Sequence, residues 1–134
     1  TLSNCGRFLD KRGDFMGKTA WKDKIIAQCK EVNTYREAFL PVIETLAATL
    51  EQRDKTHKEF IKSGGKSVVQ YTNKGGSTNM AKNPLLVMWD DLNKSALAYW
   101  RDLGLTPAGL KKIDEMSLKS KKNPLVEALK ELGN

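Results

Sequence analysis

Residues 83–107 read NPLLVMWDDLNKSALAYWRDLGLTP. Leu85, Trp89, Leu92, Ala96, Tyr99 and Leu103 recur at steps of four and three, so they share one side of a helix. The same spacing makes the seam of a coiled coil. With Trp89, Tyr99 and Trp100 on it, this short helix carries a large apolar load. It has to be paired, either within the chain or with a copy of itself. Asn83 can cap it, Pro84 suits its first turn, and Gly104 ends it. Thr106 and Pro107 repeat the cap-and-proline grammar and predict a short helix over 108–118.

Upstream, a long helix is predicted over 42–62. Its apolar side is formed by Ile43, Leu46, Ala47, Leu50, His57, Phe60 and Ile61, with Arg53 and Asp54 interrupting it. Glu51 and Lys55, Asp54 and Lys58, and Lys55 and Glu59 have i,i+4 spacing, worth a few tenths of a kcal/mol each. Gly64 and Gly65 stop the helix. Residues 35–40, YREAFL, read as a separate short helical piece, because Pro41 inside a helix would cost roughly 3 kcal/mol but is harmless in a first turn. Before it, Thr19 can cap a helix over 20–32 with Trp21, Ile25, Cys29 and Val32 on its buried side, and Asn33-Thr34 mark the turn that follows. Residues 1–18 sustain no period and read as a weakly ordered basic arm.

Between the two main helices the period changes. Residues 66–82, KSVVQYTNKGGSTNMAK, place Val68, Val69 and Tyr71 before a turn at 73–76, as in a short β-hairpin or extended excursion. At the other end, KSKKN at 119–123 reads as a basic polar break. Residues 124–132 then read as a short helix with Leu125, Leu129 and Leu132 on one face, too short to be stable alone. The expected fold class is all-α: an N-terminal helix-turn-helix-like part, a long central helix, the hairpin or excursion, and a second core helix. In domain terms this gives a basic arm (1–18), a single helical domain (19–118), and a basic break with a short C-terminal helix (119–134).

The chain has 134 residues, enough for one domain, and a formal net charge of +7, which favours an anionic partner. Residues 1–34 hold seven Lys/Arg against four Asp/Glu, a net +3, and residues 64–83 hold three against none. Residues 35–63 balance at five against five, and residues 84–110 hold two against three. Charge therefore sits on the ends and the central linker, while the two best helices are nearly neutral. The candidate phosphate contacts are Arg7, Lys11, Arg12, Lys18, Lys22, Lys24 and Lys30, with Lys66 and Lys74 on the excursion. The candidate core and oligomer residues are Trp21, Ile43, Leu46, Leu50, His57, Phe60, Leu85, Trp89, Leu92, Ala96, Tyr99, Trp100 and Leu103.

Catalytic patterns are weak. His57 is the single histidine and lies on the apolar side of its helix, with no signposted nucleophile or orienting partner. Asp90 and Asp91 are adjacent, so on a helix they point about 100° apart and form no one-sided carboxylate pair. Gly64-Gly65-Lys66-Ser67 lacks the spaced glycine and the preceding strand of a phosphate-binding loop. Cys5 and Cys29 have neither the number nor the spacing of a disulfide framework or zinc site. No cofactor and no metal are expected, no stretch is long enough to cross a bilayer, and no apolar signal segment opens the chain.

Thr56-His57-Lys58-Glu59-Phe60-Ile61-Lys62-Ser63-Gly64, the polar excursion, Asn83-Pro84-Leu85 and the closing Leu103-Gly104-Leu105-Thr106-Pro107 form one ordered set. Over roughly residues 20–115 this set resembles the small terminase subunit of tailed bacteriophages, specifically the P27-like branch. After the TP pair that branch often continues with serine and arginine, where this chain has Ala108 and Gly109. The resemblance implies a mostly helical, non-enzymatic protein that assembles into rings in the cytoplasm of the infected host. It would recognise double-stranded viral DNA at the packaging start and present it to the large terminase subunit, which carries the ATPase motor and nuclease. The alternative is a structural or adaptor oligomer that binds protein only.

Overall fold

The structure is a computed structural model that describes residues 15–133. The expected arm falls mostly on residues 1–14, outside the described residues. Its last part docks, since Met16 is buried beside the core. Four helices follow: α1 (Lys18–Glu31), α2 (Leu40–Lys62), α3 (Pro84–Asp102) and α4 (Pro107–Leu132). Between α2 and α3 stand two short strands, β1 (Val68–Thr72) and β2 (Thr78–Lys82). They pair antiparallel, with Val68 opposite Lys82 and Thr72 opposite Thr78.

The core lies where α2 packs between α1 and α3. Trp21, Ile25 and Cys29 of α1 meet Ile43, Leu46, Ala47 and Leu50 of α2, and Ala96 and Leu103 close it from the α3 side. Ile25, Ile43, Leu46 and Leu50 are fully buried, each worth about 1.5–3 kcal/mol of apolar transfer. The heptad side of α3 therefore finds its complement in α2 of the same chain. Leu85, Trp89, Leu92, Tyr99 and Trp100 are half-buried there, and the His57 ring stands 5.2 Å from that of Trp89. Pairing with a second copy is not needed to cover this seam.

Three helices end in the same way. At Asn33, Gly64 and Gly104 the backbone turns to positive φ of 60°, 108° and 74°. In each case the next amide bonds back to a carbonyl five residues earlier: Thr34 to Cys29, Gly65 to Phe60 and Leu105 to Trp100. This pattern satisfies carbonyls left over at a helix end. The starts of α3 and α4 follow the predicted grammar, with Asn83 accepting from the Leu85 amide and Thr106 from that of Gly109.

Four expectations are corrected. Thr19 is not the cap of α1; Gly17 takes that position, and the Lys18 amide donates to Glu51 Oε2 of α2 at 2.6 Å, so a tertiary carboxylate replaces a local cap. The short helical piece expected over 35–40 is only a 3-10 turn (Glu37–Phe39), and Leu40 already belongs to α2, which carries Pro41 in its first turn. Ile61 leaves the apolar side and is exposed, as it lies where α2 runs out toward the hairpin. The break at 119–123 is absent, and α4 continues through Pro124. The carbonyl at Ser120 that loses its partner there belongs to an exposed residue, where water can satisfy it.

Candidate nucleic-acid interface

The lysines of α1 are largely engaged with the body of the protein. Lys22 Nζ lies 2.7 Å from Glu44 Oε1 of α2. That hydrogen bond pushes the Lys22 pKa up and holds the Glu44 carboxyl below its ordinary range. Lys24 Nζ stands 5.2 Å from the Trp21 ring centroid, and Lys30 Nζ 5.0 Å from that of Tyr35, both within cation–π range. Lys18 is exposed, and its amide holds Glu51, whose pKa is lowered first by the Lys55 hydrogen bond and then by this amide. Arg7, Lys11 and Arg12 lie outside the described residues.

The hairpin is different. From residue 60 to 89 the sequence contains no Asp or Glu, while Lys62, Lys66, Lys74 and Lys82 all fall within it. All four are exposed, as is every residue from 70 to 82. Lys74 sits at the tip, in a turn where Asn73 Oδ1 accepts from the amides of Gly75 and Ser77, each at 3.0 Å. Gly76 supplies the positive φ of 81° that closes it. Lys66 and Lys82 sit at the root. There Asn83 donates from Nδ2 to the Lys66 carbonyl at 2.9 Å and from its backbone to that of Ser67 at 2.8 Å. The same side chain caps α3 through Oδ1. One buried asparagine thus ties the ribbon to a core helix.

Alternation sorts the ribbon into two sides. Val68, Gln70 and Thr72 share one with Thr78, Met80 and Lys82, their paired partners. Val69 and Tyr71 share the other with Ala81 and Asn79. Val69 is half-buried, which marks its side as the one nearer the body. The first side is exposed throughout; Met80 keeps 67% of its surface. No acidic group offsets its charge from within the segment.

Of the thirteen residues expected in the core or at an oligomer contact, Trp21, Ile43, Leu46, Leu50, Phe60, Ala96 and Leu103 are buried, and His57, Leu85, Trp89, Leu92, Tyr99 and Trp100 are half-buried. Beside them lies a feature that the sequence reading missed. Arg53 and Asp54, read as interruptions of an apolar side, are both buried. Arg53 Nε and Nη2 donate to Asp54 Oδ1 at 3.0 and 2.8 Å, and Trp21 Nε1 donates to Asp54 Oδ2 at 2.9 Å. The guanidinium also lies 5.4 Å from the Trp21 ring and 6.0 Å from that of Trp100. This ion pair joins α1, α2 and α3, and its role is structural. The only sequence signal for it was a charged pair falling on an otherwise apolar helix side.

The other candidate chemistries find no support from geometry. Among the described residues no group of three or more His, Cys, Asp or Glu is placed to hold a metal ion, and no helix is long and apolar enough to cross a membrane. Cys29 is buried, which pushes its thiol pKa up and keeps it protonated. A family model described as phage terminase, small subunit, matches residues 17–118, from α1 to the middle of α4. No curated protein and no solved structure matches the chain.

Proposed function

The chain belongs to the phage terminase small-subunit family, and we propose that it is a ring-forming, DNA-recognising subunit of the P27-like branch. Its general role is viral DNA packaging. In the proposed mechanism it binds double-stranded viral DNA in the host cytoplasm and hands it to the large terminase subunit, contributing binding and no chemistry of its own. The observation that carries the DNA contact is the exposed segment around the hairpin, with Lys62, Lys66, Lys74 and Lys82 and no Asp or Glu within residues 60–89. Several such weakly cationic surfaces in one assembly would hold a duplex that a single copy binds poorly.

Support for assembly comes from α4. Leu118, Leu125, Leu129 and Leu132 are all exposed and, with Lys122, follow steps of four and three along one side of the helix. The three-helix core leaves this stripe uncovered. The tail at 119–134 is therefore the proposed contact for a neighbouring copy or for the large subunit.

Fluorescence anisotropy with phage DNA fragments, run from low to high salt, tests the DNA reading. Binding that weakens steeply with salt is expected, and salt-independent or absent binding would count against it. Native mass spectrometry tests the ring, which a monomer at all concentrations would exclude. Deleting residues 119–134 should reduce stimulation of the large subunit's ATPase; unchanged stimulation would remove the tail from that contact. The protein-only adaptor reading would be favoured by an intact oligomer with no affinity for DNA.

A further inference from the structure

The hairpin is longer than its place in the chain requires. Helices α2 and α3 pack directly on each other, as Thr56 Oγ1 against Met88 Sδ and His57 against Trp89 show. Neighbouring helices of this kind are commonly joined by about 2–8 residues. Here residues 63–83 intervene and spend themselves on a two-stranded ribbon exposed almost throughout. A free-standing two-stranded ribbon gains little stability from its own contacts. Its turn is nevertheless held by Asn73 and its root by Asn83.

Its dimensions and chemistry fit one occupant. Five-residue strands span about 17 Å and lie about 4.8 Å apart, and a B-DNA major groove about 12 Å wide and 8.5 Å deep admits such a ribbon. Lys74 at the tip and Lys66 and Lys82 at the root bracket an uncharged stretch. In that stretch Gln70 lies opposite Met80 and Thr72 opposite Thr78, with the two hydroxyls 3.4 Å apart. An amide can pair bidentately with adenine, hydroxyls can donate or accept at base edges, and a thioether can pack on a thymine methyl. Cations at both ends can hold phosphates on the two walls, which position a reader without specifying sequence.

The geometry points to the hairpin as a major-groove reader, with Gln70, Thr72, Thr78 and Met80 facing base edges and Lys66, Lys74 and Lys82 on the phosphates. This rests on the DNA-binding reading above and adds where the duplex is read and by which side chains.

The full chain is titrated by anisotropy onto a mixed-sequence duplex about three helical turns long. A second duplex of the same sequence carries glucosylated 5-hydroxymethylcytosine, which fills the major groove and leaves phosphates and minor groove unchanged. Binding to the second is expected to be about tenfold weaker, the scale of one lost good base contact. The variant Gln70→Ala/Thr78→Ala/Met80→Ala should bind the unglucosylated duplex about tenfold more weakly than the unmodified chain, with its salt slope unchanged. Lys66→Ala/Lys74→Ala/Lys82→Ala should weaken both and flatten the log–log salt slope by about 2–3. These positions are exposed, so the helical circular dichroism should not change.

Equal binding of the two duplexes by the unmodified chain, or a face variant that binds the unglucosylated duplex as tightly as the unmodified chain, would overturn the assignment of these side chains to the groove while DNA binding stands. Failure to bind either duplex would sink the DNA-binding reading itself. A change in oligomeric mass with unchanged DNA affinity in the face variant would make the ribbon a subunit contact and overturn the inference.

Discussion

Asp54 shows how a single carboxylate can hold three helices together. It accepts from Arg53 and Trp21 while Arg53 lies between Trp21 and Trp100. Replacing Asp54 by alanine would remove the buried acceptor that the Arg53 guanidinium and the Trp21 indole share. The expected loss is about 3–5 kcal/mol in urea unfolding; a loss under about 1 kcal/mol would show that the pair behaves as a surface one. Gly109 is a second decisive residue. A Cβ built there would clash with the Arg101 carbonyl oxygen, so Gly109→Ala should displace the start of α4 from the end of α3. Faster hydrogen exchange at residues 105–113, with α1 and α2 still protected, is the expected signature. Neither role could be read from the sequence. A charged pair on an apolar helix side looks the same whether it faces water or closes a buried ion pair, and the approach at Gly109 depends on how two helices cross.

At the scale of elements, punctuation was the most legible feature. Asn83-Pro84 and Thr106-Pro107 start helices as expected, and Asn33, Gly64 and Gly104 end them, because these signals act through the local backbone. Local grammar failed where a distant partner did the same work or where exposure lowers the cost of a lost bond. Glu51 replaced the expected cap of α1, and α4 runs through Pro124 with Ser120, four residues earlier, exposed. The attachment of α1 to α2 has a pH consequence. Glu44 and Glu51 both have pKa values lowered from the ordinary 4.5 by bonds from Lys22 and from Lys55 and the Lys18 amide. A lowered carboxyl pKa contributes stability that is fully present above the unfolded value and is lost as pH falls through the folded one. Protection of the α1 amides should therefore hold at neutral pH and fall as the solution is acidified below about pH 4.5, before the α2–α3 contact opens. Protection that is flat with pH down to global unfolding would remove these carboxylates from the attachment. In α4, truncation after residue 118 should leave the melting of the core within about 2 °C of the full chain, because every residue from 119 to 133 is exposed.

For the whole molecule, the heptad pattern in residues 83–107 calls for a partner within the chain or in a second copy, and within the chain α2 packs against it. The pattern records only that an apolar seam is covered, and intrachain and intersubunit partners bury the same residues. The leucines of α4 lack any such cover. Leu125→Asp/Leu129→Asp should therefore reduce oligomer mass in native mass spectrometry while leaving the helical spectrum intact. Unchanged assembly would move the subunit contact elsewhere. Asn83 has a mechanical consequence at this scale. Because it grips both Lys66 and the first turn of α3, a sideways load on the tip at Lys74 is delivered into the α3 axis instead of being lost in a slack tether. Asn83→Ala should uncouple the two, seen as faster exchange of the Leu85 amide. The ribbon would then trail like an oar out of its rowlock, still cationic but unable to push against the rest of the subunit.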